Sequence, residues 1–357
     1  MVKYIVVGYG WRAQLFYDLA KYSPNQFQVV AGVVKSQERI NQIKHERGIF
    51  ATVDLDQALS LNPDFVILCI PRPIMKDYII RLMEKGVPVM CETPPGKTTA
   101  ELNQLYLKQQ QLAGKVQVLE QYHLWPFYQS LLNITKSGII GEVQNITLSA
   151  LHGYHAISIF RKILGVDMQN CSILGQQFIH QVTKTNSRQG FSYDGEILEQ
   201  KRDLVTFSFD DGKAAIFDFT SHQYFSTIRT RRVTIQGTRG EVNDMTVRYL
   251  NKDNKPVQEE INLYYLGTNN ISGLYNHSVS LGDKILYENP TMPARFNDDE
   301  ISVADSLLKM RDYLAGGAEV YSLKDGLQDA YLSFLMEESL KTKQLIQSQS
   351  QSWATHN

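Results

Sequence analysis

Gly8, Gly10 and Ala13 follow an apolar run, Tyr4 to Val7, and precede a helix-compatible stretch, Trp11 to Tyr22. Small residues at that spacing suit a turn that grips a dinucleotide diphosphate. Gly8 permits the tight exit from the strand, and Gly10 has no side chain to keep the diphosphate from the backbone. Ala13 lets the new helix pack closely on the strand. The helix start offers free N–H groups and a partial positive charge. Trp11 and Arg12 lie inside this turn.

A second chemical signal follows the next strand, Phe27 to Val34. In such units an acidic residue commonly ends that strand and holds the adenosine ribose. Here the corner reads Val34-Lys35-Ser36, with Arg39 one helical turn on and no carboxylate. Two cations and a hydroxyl suit a 2′-phosphate, so NADP(H) is favoured and NAD(H) remains possible. Ser36 also suits a helix N-cap.

Later strand ends carry Ile70-Pro71-Arg72, Glu92-Thr93, and Gln121-Tyr122-His123. Ligands of a doubly wound sheet bind outside the carboxyl ends of its strands, so one crevice gathers these residues. Ile70, Pro71, Arg72, Glu92, Thr93 and Gln121 are the further candidate cofactor contacts. Hydride transfer also needs a proton donor or acceptor at the substrate heteroatom. His155 is the first candidate, because imidazole titrates near neutral pH. Tyr122 and His123 leave the last strand of the first domain, and Tyr122 serves as proton donor if its pKa is lowered. Thr93 can hydrogen-bond only. His152 and His155 lack the carboxylate or cysteine set of a metal centre, so no metal is expected.

These residues need a scaffold of alternating strands and helices. Strands are expected at Asp64–Ile70, Val87–Cys91 and Val116–Leu119, with helices at Ile74–Lys85 and from Thr98 or Thr99 to Ala113. The pattern changes near residue 125. A helix, Pro126–Ser137, leads to a strand, Glu142–Ala150, and a helix, Ala156–Leu164. Strands then dominate: Ser172–Val182, Asp203–Asp210, Lys213–Ser221, Thr230–Gln236, Glu241–Tyr249 and Val257–Tyr265. Asp210-Asp211-Gly212 is a hairpin turn. Helices Asp299–Ala315 and Lys324–Gln344 close the pattern, and a Ser/Gln-rich tail from Gln347 is expected to fray. The stretch Ser221–Arg229 reads either as a loop closing on substrate through Tyr224 or Arg229, or as a solvated hairpin loop.

The fold class is therefore an α/β doubly wound parallel-sheet domain over residues 1–122. An α+β domain with a large, open, mainly antiparallel sheet follows over residues 123–357. With 357 residues, 43% hydrophobic and 20% charged, the chain has ample core for two domains. A net charge of −1 gives no reason to expect nucleic acid or an anionic membrane. No apolar run approaches the roughly 18–20 residues of a membrane span. Three cysteines, Cys69, Cys91 and Cys171, lack metal-type spacing and suit a reducing compartment as small buried side chains. The first strand begins at once, leaving no room for a signal peptide, and a cytoplasmic protein is expected.

Together these motifs resemble the glucose–fructose oxidoreductase/inositol dehydrogenase/MocA family of NAD(P)-dependent oxidoreductases, along nearly the whole chain. The carriers are Gly8-Tyr-Gly-Trp-Arg-Ala13, Glu92-Thr93-Pro94, Gly138-Ile-Ile-Gly-Glu142, His155 with Leu164-Gly165, and Asp325-Gly326. The resemblance implies a Rossmann domain and a substrate domain whose C-terminal helices pack back on the first. It also implies a homo-oligomer paired through the antiparallel sheet, and His155 as the active-site histidine. Two departures stand out. The family's lysine is Thr93, and the aspartate four residues before the histidine is Leu151. Ser158 stands where a further acidic residue is common.

The expected function is hydride transfer to or from a small polar carbonyl, imine or sugar-like polyol. The alternatives are a cofactor-retaining lyase or glycosidase using transient oxidation, and a catalytically silent nucleotide-binding regulator. With Leu151 in the aspartate's place, His155 is expected to work without a carboxylate partner.

Overall fold

A computed structural model describes residues 1–267 and 274–354. The first part of the chain alternates strand and helix: β1 Val2–Val7, α1 Trp11–Tyr22, β2 Phe27–Val33, α2 Gln37–Arg47, β3 Ala51–Thr52 and α3 Leu55–Leu59. It continues with β4 Phe65–Leu68, α4 Arg72–Glu84, β5 Val89–Cys91, α5 Thr99–Leu112 and β6 Val116–Val118. The six strands pair in parallel, in the order β3-β2-β1-β4-β5-β6. That is the order of a dinucleotide-binding doubly wound sheet. Helices cover both faces, so the central strands are apolar throughout; all four residues of β4 are fully buried. Each such side chain contributes about 1.5–3 kcal/mol of burial.

A short 3₁₀ turn, Tyr122–Leu124, leads into α6 Pro126–Lys136, β7 Val143–Ser149 and α7 Gly153–Leu164. Then come β8 Cys171–Thr183, the two-residue strands β9 Asn186–Ser187 and β10 Gly190–Phe191, β11 Ile197–Phe209 and β12 Ala214–Phe219. A 3₁₀ turn, Ser221–Tyr224, precedes β13 Arg232–Gly237, β14 Gly240–Asn243, β15 Thr246–Leu250 and β16 Pro256–Leu266. β17 Tyr275–Leu281, β18 Lys284–Glu288, α8 Asp298–Leu314, α9 Leu323–Thr342 and β19 Ile346–Gln347 complete the described elements. The second sheet has eleven strands, in the order β18-β17-β16-β15-β14-β13-β7-β12-β11-β8-β19. Among its described strands only the β7–β12 pairing is parallel. The α/β plus α+β fold class follows.

Three sequence expectations change. Glu241–Tyr249 is two strands: Asp244 takes a left-handed φ of 52°, and its carboxylate accepts the Val233 N–H at 2.7 Å, which turns the chain. β17 and β18 form a hairpin through Gly282, whose φ is 55°, where no strand is expected. The tail does not fray through its described part. β19 pairs with β8, and Trp353 is 1% exposed with its indole N–H donating to Gln328 at 2.8 Å. Residues 355–357 lie outside the described chain.

Two ties position the site. α7 is held to α9 by the buried Arg161, which pairs with Asp329 and, at 3.4 Å, Asp325; the Tyr321 hydroxyl also donates to Asp329. Removing one partner of a buried pair costs about 3–5 kcal/mol. The second tie covers the β6 edge. Val118 N–H donates to the Tyr321 carbonyl at 2.9 Å, and the Gln117 side chain accepts from Val320 and Tyr321 N–H at 2.8 and 3.0 Å.

Candidate active site

A cavity of about 1070 Å³ opens at the carboxyl ends of β1, β2, β4 and β5 and is walled on its far side by α7 and the second sheet. Gly8, Gly10, Trp11, Arg12, Ala13, Lys35 and Arg39 line one side. Ile70, Pro71, Arg72, Glu92, Thr93 and Gln121 line its floor, and Tyr122 and His155 its far wall. Two expected residues stay outside. The Ser36 hydroxyl accepts the Arg39 N–H at 3.3 Å and caps α2. His123 is buried with its ring 5.2 Å from Tyr321; burial, then the nearby Lys162, holds its pKa well below the usual histidine range. It is a packing residue behind the wall.

The turn has the two properties its glycines require. Gly8 has φ 116°, and a Cβ there would sit 2.3 Å from the Cys69 carbonyl oxygen. Gly10 is extended at φ −77°, and a Cβ there would meet nothing within 4 Å. Gly10 is also the N-cap of α1 and offers no side chain to its first N–H groups. Gly10, Trp11, Arg12 and Ala13 line the cavity at this helix start. A dinucleotide diphosphate is an anion that would fill this gap, and the residues present fit it.

Arg12 ties α1 to the end of β5 and the start of α8. Its Nε donates to Glu92 Oε1 at 2.7 Å, and its Nη1 lies 3.7 Å from Asp299 Oδ2 at the start of α8. Gln121 donates to the other Asp299 oxygen at 3.3 Å. Arg12 Nη2 is buried without a partner. Glu92 is thus committed to an ion pair, and Arg12 keeps one donor for a ligand.

His155 sits in the first turn of α7. Its Nδ1 shares a hydrogen bond with Glu120 Oε2, and the other Glu120 oxygen accepts the Tyr122 N–H at 3.1 Å. The Glu120 side chain is 0% exposed. Burial disfavours charge on both groups, raising the carboxyl and lowering the imidazole. The pair therefore holds one proton between two sites and is neutral overall. The expectation of a histidine without a carboxylate is overturned. Leu151 is core, and Glu120 reaches the imidazole from the end of β6. A charged residue closing the apolar run Val116–Leu119 is the sequence signal for it.

Aromatic rings continue the wall. Tyr122 lies 4.6 Å from His155 and 5.1 Å from Trp125, centroid to centroid. Burial, then nearby Tyr224, raises the Tyr122 pKa, so it donates a hydrogen bond and does not titrate near neutrality, against the lowered value considered from sequence. The His152 ring lies 4.6 Å from that of His155, and its backbone N–H donates to the Tyr224 hydroxyl at 3.0 Å. Burial, then His155 and Arg72, lowers its pKa to about 4. Of the Ser221–Arg229 stretch, Tyr224 and Phe225 reach the cavity. Arg229 turns to the Ile228 carbonyl at 3.0 Å. Arg188, Arg231 and Asp299 also line the cavity and carry no local sequence signal.

Residues 2–120 match the oxidoreductase family with an NAD-binding Rossmann fold, the glucose–fructose oxidoreductase/inositol dehydrogenase/MocA family. The chain is 26% identical over 149 residues to D-glucoside 3-dehydrogenase of Escherichia coli strain K12; the match spans 41% of this chain and 42% of that protein. Its fold is that of an oxidoreductase from Agrobacterium radiobacter solved with NAD+, L-tartaric acid and magnesium (TM-score 0.69, 14% identity, 97% and 98% of the two chains). Scyllo-inositol dehydrogenase from Lactobacillus casei shares it too (TM-score 0.66, 16% identity, 97% and 98%). Among the described residues no helix is long and apolar enough to cross a membrane.

Proposed function

We propose that this protein is an NAD(P)-dependent oxidoreductase, with NADP(H) preferred, that moves hydride to or from a small polar carbonyl or polyol. The observation that carries the reading is the Glu120–His155 pair on the cavity wall across from the open N-terminus of α1. When bound, the dinucleotide supplies or accepts the hydride. The α1 N–H groups and Arg12 Nη2 hold its diphosphate, and Lys35 and Arg39 the adenosine 2′-phosphate.

His155 manages the proton. With Nδ1 engaged by Glu120, Nε2 is left to give or take a proton at the substrate oxygen, while Glu120 fixes the ring and buffers its charge. Glu120 is thus a positioning residue. Tyr122 and Thr93 donate hydrogen bonds that orient the substrate. The family's missing aspartate is replaced in role, which favours a working site over a silent one.

The reading extends to a cytoplasmic homo-oligomer. Leu174, Phe178, Leu204 and Ile216 are exposed on adjacent strands of the large sheet, a surface suited to pairing with a second copy.

The test is titration with NADPH and NADH, then turnover on a carbonyl and polyol panel by nicotinamide absorbance. His155→Ala should lower turnover by roughly 10²–10⁴-fold. Full activity in that variant would overturn the proton role.

A further inference from the structure

The cavity's charges do not balance. Glu92 and Asp299 are its only carboxylates among the described residues, and both face Arg12. Lys35 and Arg39 stand at the adenosine end. Arg188 lies over the Trp11 ring at 5.1 Å, beside the diphosphate turn. Those cations are accounted for by a phosphorylated dinucleotide. Arg231 is not, and Arg72, expected from the sequence as a cofactor contact, stands at the His152 end of the cavity, where it is free to serve substrate as well.

Arg231 is held in a specific place. Its guanidinium lies 5.4 Å from the Tyr224 ring centroid and 5.9 Å from that of Trp125. Trp125 contacts Tyr122, and Tyr122 contacts His155. Tyr224 closes the circuit through His152, 6.2 Å away, which in turn touches His155. Arg231 thus stands on the same wall as the proton-transfer pair. It is exposed, and among the described residues it has no carboxylate or hydrogen-bond partner. Arg72, at the start of α4, approaches the same end: its charge bears on His152.

A guanidinium braced by two aromatic faces is pre-organised, with its fork of N–H donors directed where a planar anion can accept them. Both arginines are exposed and hydrated in the open cavity, so a neutral sugar would cover them without replacing their water, whereas a carboxylate would keep each charge partnered. We infer that the substrate carries a carboxylate, as a sugar acid or other polyhydroxy acid does, and that Arg231 binds it with Arg72 in support while the reacting carbon lies against His155. The inference rests on the proposed function for the position of the reacting carbon. A phosphate monoester shares the anionic chemistry and fits the same fork, so the experiment separates the two.

The test uses the full-length protein saturated with NADPH, at constant ionic strength. D-glucuronate, D-gluconate, D-glucose 6-phosphate and D-glucose are titrated by calorimetry, with Trp125 fluorescence as a second reading. A carboxylate should bind at least about tenfold more tightly than D-glucose. Arg231→Gln should close that gap, and Arg231→Lys should restore part of it, because ammonium keeps the charge without the fork. D-glucose equalling both carboxylates, no binding by either carboxylate, or a gap that survives Arg231→Gln would overturn the inference. D-glucose 6-phosphate binding above both acids would overturn the carboxylate assignment. Nicotinamide absorbance is followed separately. Arg231-dependent carboxylate binding without hydride transfer would count against the proposed function and leave this inference standing.

Discussion

Glu120 and His155 stand 35 residues apart in the chain and share a buried hydrogen bond where the end of β6 meets the first turn of α7. Burial resists both adding a second proton to this pair and removing its last one. In the parent protein kcat/KM should therefore hold a plateau on both sides of neutrality. Glu120→Gln removes the carboxyl that retains the last proton, so the alkaline limb should move to lower pH. kcat should fall by roughly 10²-fold, with NADPH affinity changed far less. An unmoved pH profile would assign Glu120 a packing role only.

The two glycines of the turn should fail in different ways. Gly8→Ala sets a Cβ 2.3 Å from the Cys69 carbonyl at a φ of 116°, so it should lose about 2–4 kcal/mol of stability. Gly10→Ala meets no protein atom within 4 Å and keeps an extended backbone. Its melting temperature should hold or rise slightly, while NADPH affinity drops by about tenfold or more, because the methyl stands where the diphosphate approaches. Denaturation and calorimetry on the two variants separate these outcomes.

Cofactor preference should track Lys35. NADPH should bind more tightly than NADH, and Lys35→Asp should weaken NADPH by roughly 10–100-fold while sparing NADH. Equal affinities in the parent protein, measured by titration, would remove NADP(H) preference from the reading.

His152 gives a stability signature. Its folded pKa of about 4 lies below the ordinary 6.5. The unfolded chain takes up a proton first, so stability is full above about pH 6.5 and declines as pH falls toward 4. His152 is exposed, so solvent screening holds the loss to about 1 kcal/mol or less. His152→Gln should flatten this slope in denaturant melts. An identical slope in the variant would assign the acid sensitivity to other groups.

What the sequence disclosed was local. The turn at Gly8–Ala13 and the cap at Ser36 are decided by residues within a few positions of each other, and they read directly. Arg231 and Asp299 become site residues only when separate elements dock, so no spacing announces them, and Glu120 shows only as a charge closing an apolar run, with its partner His155 35 residues on. The hydrogen-bond chemistry of Asp244 ended a strand that its β-branched neighbours prolong. The Ser/Gln-rich tail had the composition of a loose end, yet Trp353 is anchored by Gln328, 25 residues earlier.

The cover over β6 has a consequence for self-recognition. β6 is an outer strand of the parallel sheet, and an outer strand with free amides invites the same strand of another molecule. Here Tyr321 and the Gln117 side chain occupy that lane, while the opposite border, β3, is only two residues long. Neither side offers a template for fibre growth. The dinucleotide-binding half cut from the chain would lose the cover and gain a sticky flank, so its solubility is a property of the whole molecule.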